Sequence, residues 1–147
     1  MVTVAVWWGH DPAQETGPIG PIGPQGQVRV LLLSPMGAMS GPGLQTDLDA
    51  LKAAGHDVVA IDLGRAPHRQ DVEFRDVSIL DADALASATS DCAALFHLAA
   101  VANVNDAFER PLDCVRLNIE GTASALEAAR RNNMKRFVLA STVWVYG

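Results

Sequence analysis

Ala94-Leu95-Phe96-His97-Leu98-Ala99-Ala100 is followed by a helical stretch holding Asn118-Ile119-Glu120-Gly121-Thr122, and then by Arg136-Phe137-Val138-Leu139-Ala140-Ser141. The first and last runs are apolar and of strand length, and the stretch between them repeats at helical spacing. Strands that are apolar on both sides are buried on both faces, which marks a parallel sheet covered by helices. Val115, Ile119, Thr122, Leu126 and Ala129 share one face of the connecting helix. Glycine inside a helix costs about 1 kcal/mol relative to alanine, so a close approach of a neighbouring element is expected at Gly121.

The same unit stands upstream. Residues 28–33 form an apolar run, a loop of small residues follows over 34–43, and Leu44, Leu48 and Leu51 then share a helical face. Pro42 suits the first turn of that helix and Gly55 its end. Residues 57–62 read as a second buried strand ending on Asp62, and residues 72–77 as a shorter third carrying Asp76. Asp81 is placed to cap a helix running through Leu85 and Ala88. Strand, helix and strand with short connections give an α/β fold, a doubly wound parallel sheet of Rossmann type, incomplete at its C-terminal side.

The N-terminal 27 residues differ. Met1 to Trp8 alternates weakly and suits either a short strand or an apolar tail. Gly17, Gly20, Gly23 and Gly26 recur every third position, with prolines between, and predict an extended linker. The chain therefore divides into an irregular tail with a Gly-Pro-rich linker, 1–27, and a partial dinucleotide-binding domain, 28–147.

Composition narrows the function. A net charge of -6 without a basic face argues against nucleic-acid binding. Arg130, Arg131, Lys135 and Arg136 cluster where cations complement a helix C-terminus. Cys92 and Cys114 lack paired spacing, so buried structural thiols in a reducing, cytoplasmic setting are expected. The histidines show no metal-ligand spacing. No apolar run approaches the roughly 20 residues of a membrane span, and no basic n-region suggests a secretory signal.

In an open parallel sheet, ligands bind beyond the carboxyl ends of the strands. Gly37, Gly41 and Gly43 occupy the loop after the first strand, where backbone amides entering a helix suit a pyrophosphate. Asp62 lies about 20 residues beyond that loop, the spacing of an acid that holds a ribose diol. A carboxylate there repels a 2′-phosphate, so NAD is favoured over NADP.

His97-Leu98-Ala99-Ala100, Asn118-Ile119-Glu120-Gly121-Thr122 and Ser141-Thr142-Val143-Trp144-Val145-Tyr146-Gly147 together resemble the extended short-chain dehydrogenase/reductases. The nearest subgroup is the NAD-dependent epimerase/dehydratases of nucleotide sugars. The resemblance covers residues 28–147. It implies an oxidoreductase or isomerase chemistry in which NAD exchanges hydride with a sugar carbon, in proteins that are often homodimers. It further implies that Asp62 holds the adenosine ribose and that Asp76 and Val77 flank the adenine. Leu98, Ala99 and Ala100 would line the dinucleotide, Asn118 would stabilise the adjacent helix and pocket, and Thr142 would be the catalytic hydroxyl.

Two departures stand out. The family loop reads TGxxGxxG directly after the first strand, whereas Gly37-x-x-x-Gly41-x-Gly43 sits a few residues later. The family also uses a YxxxK pair for proton transfer, and the single tyrosine, Tyr146, belongs to the VYG element instead. The expectation is a truncated enzyme without turnover by itself. The alternatives are a non-catalytic NAD(P)-binding or redox-sensing module, or an assembly part that docks through the open sheet edge.

Overall fold

The computed structural model of the chain describes residues 3–6, 29–33, 42–63 and 70–140. Among these residues, six strands form one sheet: β1 (Thr3–Val6), β2 (Arg29–Leu33), β3 (Asp57–Asp62), β4 (Glu73–Asp76), β5 (Ala94–His97) and β6 (Arg136–Ala140), in the spatial order β1-β6-β5-β2-β3-β4. Every pairing is parallel except that of β1 with β6, where Thr3 faces Ala140 and Val6 faces Phe137. Of the two readings of the first residues, the strand is the one realised over Thr3–Val6. It also changes the picture of the sheet edge, since β1 covers the side of β6 that the sequence left open.

Helix α1 (Pro42–Ala53) connects β2 to β3, and α2 (Ala82–Ala88) connects β4 to β5. Pro42 is the first residue of α1, as its missing N–H suggests. Beyond its end Gly55 adopts φ 83°, which lets the Gly55 and His56 N–H groups bond back to Lys52 and Leu51 carbonyls at 2.9 and 3.1 Å. Asp81 caps α2, its carboxylate accepting from Ala84 N–H at 3.0 Å. After β5 come α3 (Val104–Glu109), α4 (Pro111–Val115), a π-helical turn (Arg116–Glu120) and α5 (Gly121–Arg131).

Strand β3 shows why the sheet needs helices on both sides. Its Val59 and Ile61 join Leu85, Leu95, Ala125, Ala128 and Phe137 in one core under α2 and α5. Its Val58 and Ala60, pointing the other way, join Leu48 of α1 and Val72 in a second. At the end of α5, Arg130 and Arg131 bond Glu127, and Arg131 also reaches Asp83 at the start of α2. Arg130 and Arg131 of the basic cluster thus form a helix-end network, while Arg136 belongs to β6.

The helical face expected from sequence is corrected by the π turn. Its wider coil rotates what precedes α5, so the buried residues are Gly121, Ser124, Ala125, Ala128 and Ala129. Of the expected set only Ala129 is buried, while Val115 and Ile119 are exposed. They continue a stripe with Val104, Phe108 and Leu112, of which Phe108 is 86% exposed.

Candidate functional site

Strands β3 and β5 lie on either side of β2, so the order reverses at β2 and a crevice opens beyond the strand ends. A cleft of about 610 Å³ occupies this position, within the usual size of small-molecule sites. One wall is Ile61, Asp62 and Leu63 at the end of β3, with Val77, Ser78, Ile79 and Leu80 after β4. The facing wall is Ala99, Ala100, Val101, Ala102 and Asn103 after β5. Asp106, Arg110, Asp113, Cys114, Arg116 and Leu117 form the rim.

Asp62 is the buried acid of this cleft, 4% exposed, with Oδ1 accepting from Leu63 N–H at 2.7 Å. It is the last residue of β3, in register with Asp76 of β4. A carboxylate among apolar walls gives a directed pair of acceptors, the chemistry that suits a vicinal diol. Small residues at Ala99 and Ala100 keep the opposite wall close to backbone, leaving room for a flat group between them and Ile61.

The β5 wall is held by one side chain. Asn118, in the π turn, accepts from Val101 N–H through Oδ1 at 2.8 Å and donates to Val101 carbonyl through Nδ2 at 3.1 Å. The same Nδ2 lies 3.4 Å from Cys114 Sγ. A π turn displaces a helix backbone by one residue, and here it brings the amide level with the loop it binds. Behind it, Thr122 Oγ1 donates to Asn118 carbonyl at 2.7 Å and meets His97 Nε2 at 2.9 Å. The Thr122 hydroxyl has one proton and the carbonyl can only accept. His97 is thereby fixed with its proton on Nε2, donating to Thr122. Burial pushes the His97 pKa down to about 4, so the ring is neutral near pH 7.

The structure brings Asp62, Val77, Ala99 and Ala100 together in the cleft, with Asn118 bracing it from behind. Leu98 points away and packs with the core under α1, and Asp76 is exposed outside the lining. Gly43 stands in the first turn of α1 and not in the preceding loop. Gly37, Gly41, the Gly-Pro-rich linker and Thr142 lie outside the described residues. Cys114 departs from the expected buried thiol, being half-buried on the cleft rim, while Cys92 is buried. The His97–Thr122 pair was not foreseen, although a histidine inside an apolar strand is itself a signal that a polar partner waits in the core.

The sequence model of the NAD dependent epimerase/dehydratase family matches residues 47–147. UDP-glucose 4-epimerase of Mus musculus is 36% identical over 78 residues, 52% of this chain and 22% of that enzyme. dTDP-glucose 4,6-dehydratase of Streptomyces antibioticus is 33% identical over 132 residues, 90% of this chain and 37% of that enzyme. Among solved structures, a UDP-glucose 4-epimerase from Thermotoga maritima with UDP-glucose superposes with a TM-score of 0.65 at 25% identity, over 74% of this chain and 36% of that one. The UDP-glucose 4-epimerase of Thermus thermophilus, in complex with NAD, gives 0.62 at 25% identity over 72% and 35%. This chain thus spans between 22% and 37% of the length of these relatives. The matched residues begin in α1 and take in the end of β3, both cleft walls and the Asn118 brace: the chain belongs to the NAD dependent epimerase/dehydratase family.

Proposed function

We propose that this chain binds NAD and serves hydride transfer at a carbon of a nucleotide sugar, as the dinucleotide-binding part of a sugar-nucleotide epimerase/dehydratase-like protein. The observation that carries the reading is Asp62, a buried carboxylate at the end of β3 on the wall of the cleft, beside the apolar Ile61 and Val77. Its two oxygens suit the 2′- and 3′-hydroxyls of an adenosine ribose, and its charge disfavours the 2′-phosphate of NADP. Ile61, Val77 and Ile79 offer the adenine an apolar slot against Ala99. The N-terminus of α1, with Gly43, and the preceding Gly37 and Gly41 are assigned to the pyrophosphate. Bound NAD supplies the hydride acceptor. Thr142 is assigned to the substrate oxygen, and Asn118 to keeping the Ala99–Val101 backbone at its working distance from Asp62.

The nucleotide-sugar substrate rests on the likeness to UDP-glucose 4-epimerases. Residues 28–147 are taken as the dinucleotide-binding domain and 1–27 as a preceding segment that lends the sheet β1. A cytoplasmic, reducing setting suits the thiols of Cys92 and Cys114, which form no disulfide; no described helix is long and apolar enough to cross a membrane. The partner is a second copy of the chain. Val104, Phe108, Leu112, Val115 and Ile119 follow one another at spacings of three and four residues and stay exposed. Together they present on the order of 600 Å², against about 800 Å² per partner in an ordinary stable interface.

Calorimetric titration of the purified chain with NAD tests the site. Saturable binding is expected, at least about ten-fold weaker in Asp62→Ala with an unchanged circular dichroism spectrum, because a charge-assisted hydrogen bond to the ribose is worth roughly 1.5–3 kcal/mol. Equal affinity of variant and parent, or no binding by folded protein, would overturn the reading.

A further inference from the structure

Residues 104–120 form a helical rod with two different sides. Asp106, Arg110, Asp113, Cys114, Arg116 and Leu117 line the cleft. The residues of the apolar stripe are exposed, and none of them lines it. The two sets share no residue, and in α3 helical spacing turns Asp106 away from Val104 and Phe108.

The rod has little hold of its own on the fold. Neither α3, α4 nor the π turn buries a residue. The helix is interrupted at Arg110, with φ -134° and ψ 63°, between α3 and α4. What ties it to the sheet is Asn118, bonded through both ends of its amide to Val101. Val101 is itself cleft wall, and Asn118 shares the π turn with Ile119 of the stripe. A segment with no buried residues opens at low free energy, so whatever orders one side reduces the ordering cost left for the other.

We propose that occupancy of the cleft and self-association through the stripe are linked across this rod: a dinucleotide in the cleft tightens the dimer, and the dimer tightens the dinucleotide. The proposal rests on the NAD-binding and homodimer readings. The physical route is short. A ligand against Val101 and the rim holds the Asn118 brace closed and the rod in place, which presents the stripe in one geometry. A second copy covering the stripe fixes the rod from outside and so preforms the rim. By linkage the two factors are equal.

Sedimentation equilibrium of the full chain, without NAD and with saturating NAD, reads the coupling. The dimer dissociation constant is expected to fall at least about five-fold with NAD, the lower end of ordinary allosteric couplings. The NAD dissociation constant from calorimetry should fall by the same factor as protein concentration passes through the dimerisation range. Phe108→Glu, changing an exposed side chain, should stay folded and monomeric and bind NAD with the affinity of highly dilute parent protein. Asn118→Asp, which keeps an acceptor for Val101 N–H but loses the donor to its carbonyl, should still self-associate without the NAD-dependent shift. A dimer whose dissociation constant ignores saturating NAD overturns the linkage and leaves both readings standing. A monomer at every concentration, with or without NAD, overturns the homodimer and the linkage with it. Failure of the folded chain to bind NAD overturns the dinucleotide reading, and again the linkage.

Discussion

Two consecutive lengths of the same rod behave in opposite ways. From Gly121 to Arg131, α5 buries five of its residues against β3, β5 and α2. From 104 to 120 the rod buries none. The first length is held by displaced water and close packing; the second by half-buried side chains and the Asn118–Val101 pair. The boundary falls at the π turn, and the cleft lies alongside the weakly held length. The cleft-lining stretch and the buried α5 are thus neighbours in sequence with different packing environments.

The sharpest way to break this comparison is to truncate one large apolar side chain in each region. Leu95, fully buried in β5, should lose about 2–5 kcal/mol of unfolding free energy as Leu95→Ala in urea titrations. Phe108→Ala, removing a larger side chain, should change the stability of the dilute monomer by no more than about 0.5 kcal/mol. A loss at Phe108 approaching that at Leu95 would mean that the rod is part of the core after all.

A smaller effect sits where the regions meet. His97 belongs to β5 and bonds Thr122 in the first turn of α5, and burial lowers its pKa from 6.5 to about 4. The folded state therefore binds fewer protons than the unfolded state between those values. Stability from this group is complete above pH 6.5 and is lost as the pH falls toward 4, by about 3 kcal/mol over the whole window. His97→Phe should flatten that part of the pH profile of urea unfolding. An identical slope in the variant would show that burial does not hold the histidine neutral.

The legibility of the sequence follows the same division. Strand β3, the Asp81 cap, Pro42 at the start of α1 and Gly55 past its end were all readable, because each is fixed by local chemistry: an unbroken apolar run, a side-chain acceptor, a missing N–H, a positive φ. Asp62 was readable for the same reason, as a carboxylate at a strand end. The rod was not. Periodicity placed Val115 and Ile119 on one helical face with Ala129, whereas the π turn falls between them and α5, and both are exposed while Ala129 is buried. The antiparallel pairing of β1, separated from β6 by nearly the whole chain, and the His97–Thr122 bond across 25 residues are likewise long-range facts with no local signature.

Gly121, the first residue of α5, tests that boundary with the smallest effect and the clearest sign. A Cβ there would stand 2.9 Å from Ile79 Cγ1 and closer still to its Cδ1, so the sequence-level expectation of a close approach has a named neighbour. Alanine gains about 1 kcal/mol of helix propensity over glycine, while forcing a side chain aside in a packed site costs roughly 1–3 kcal/mol. Gly121→Ala should therefore be destabilising by about 1 kcal/mol, and Ile79, which lines the cleft, has to turn to admit it. In an Ile79→Ala background the obstacle is gone and only the propensity remains, so the same substitution should become stabilising by about 1 kcal/mol. The double-mutant cycle thus predicts a reversal of sign between backgrounds. If Gly121→Ala destabilises equally in both, the glycine is kept for the helix backbone at the π junction, and the contact with Ile79 follows from it.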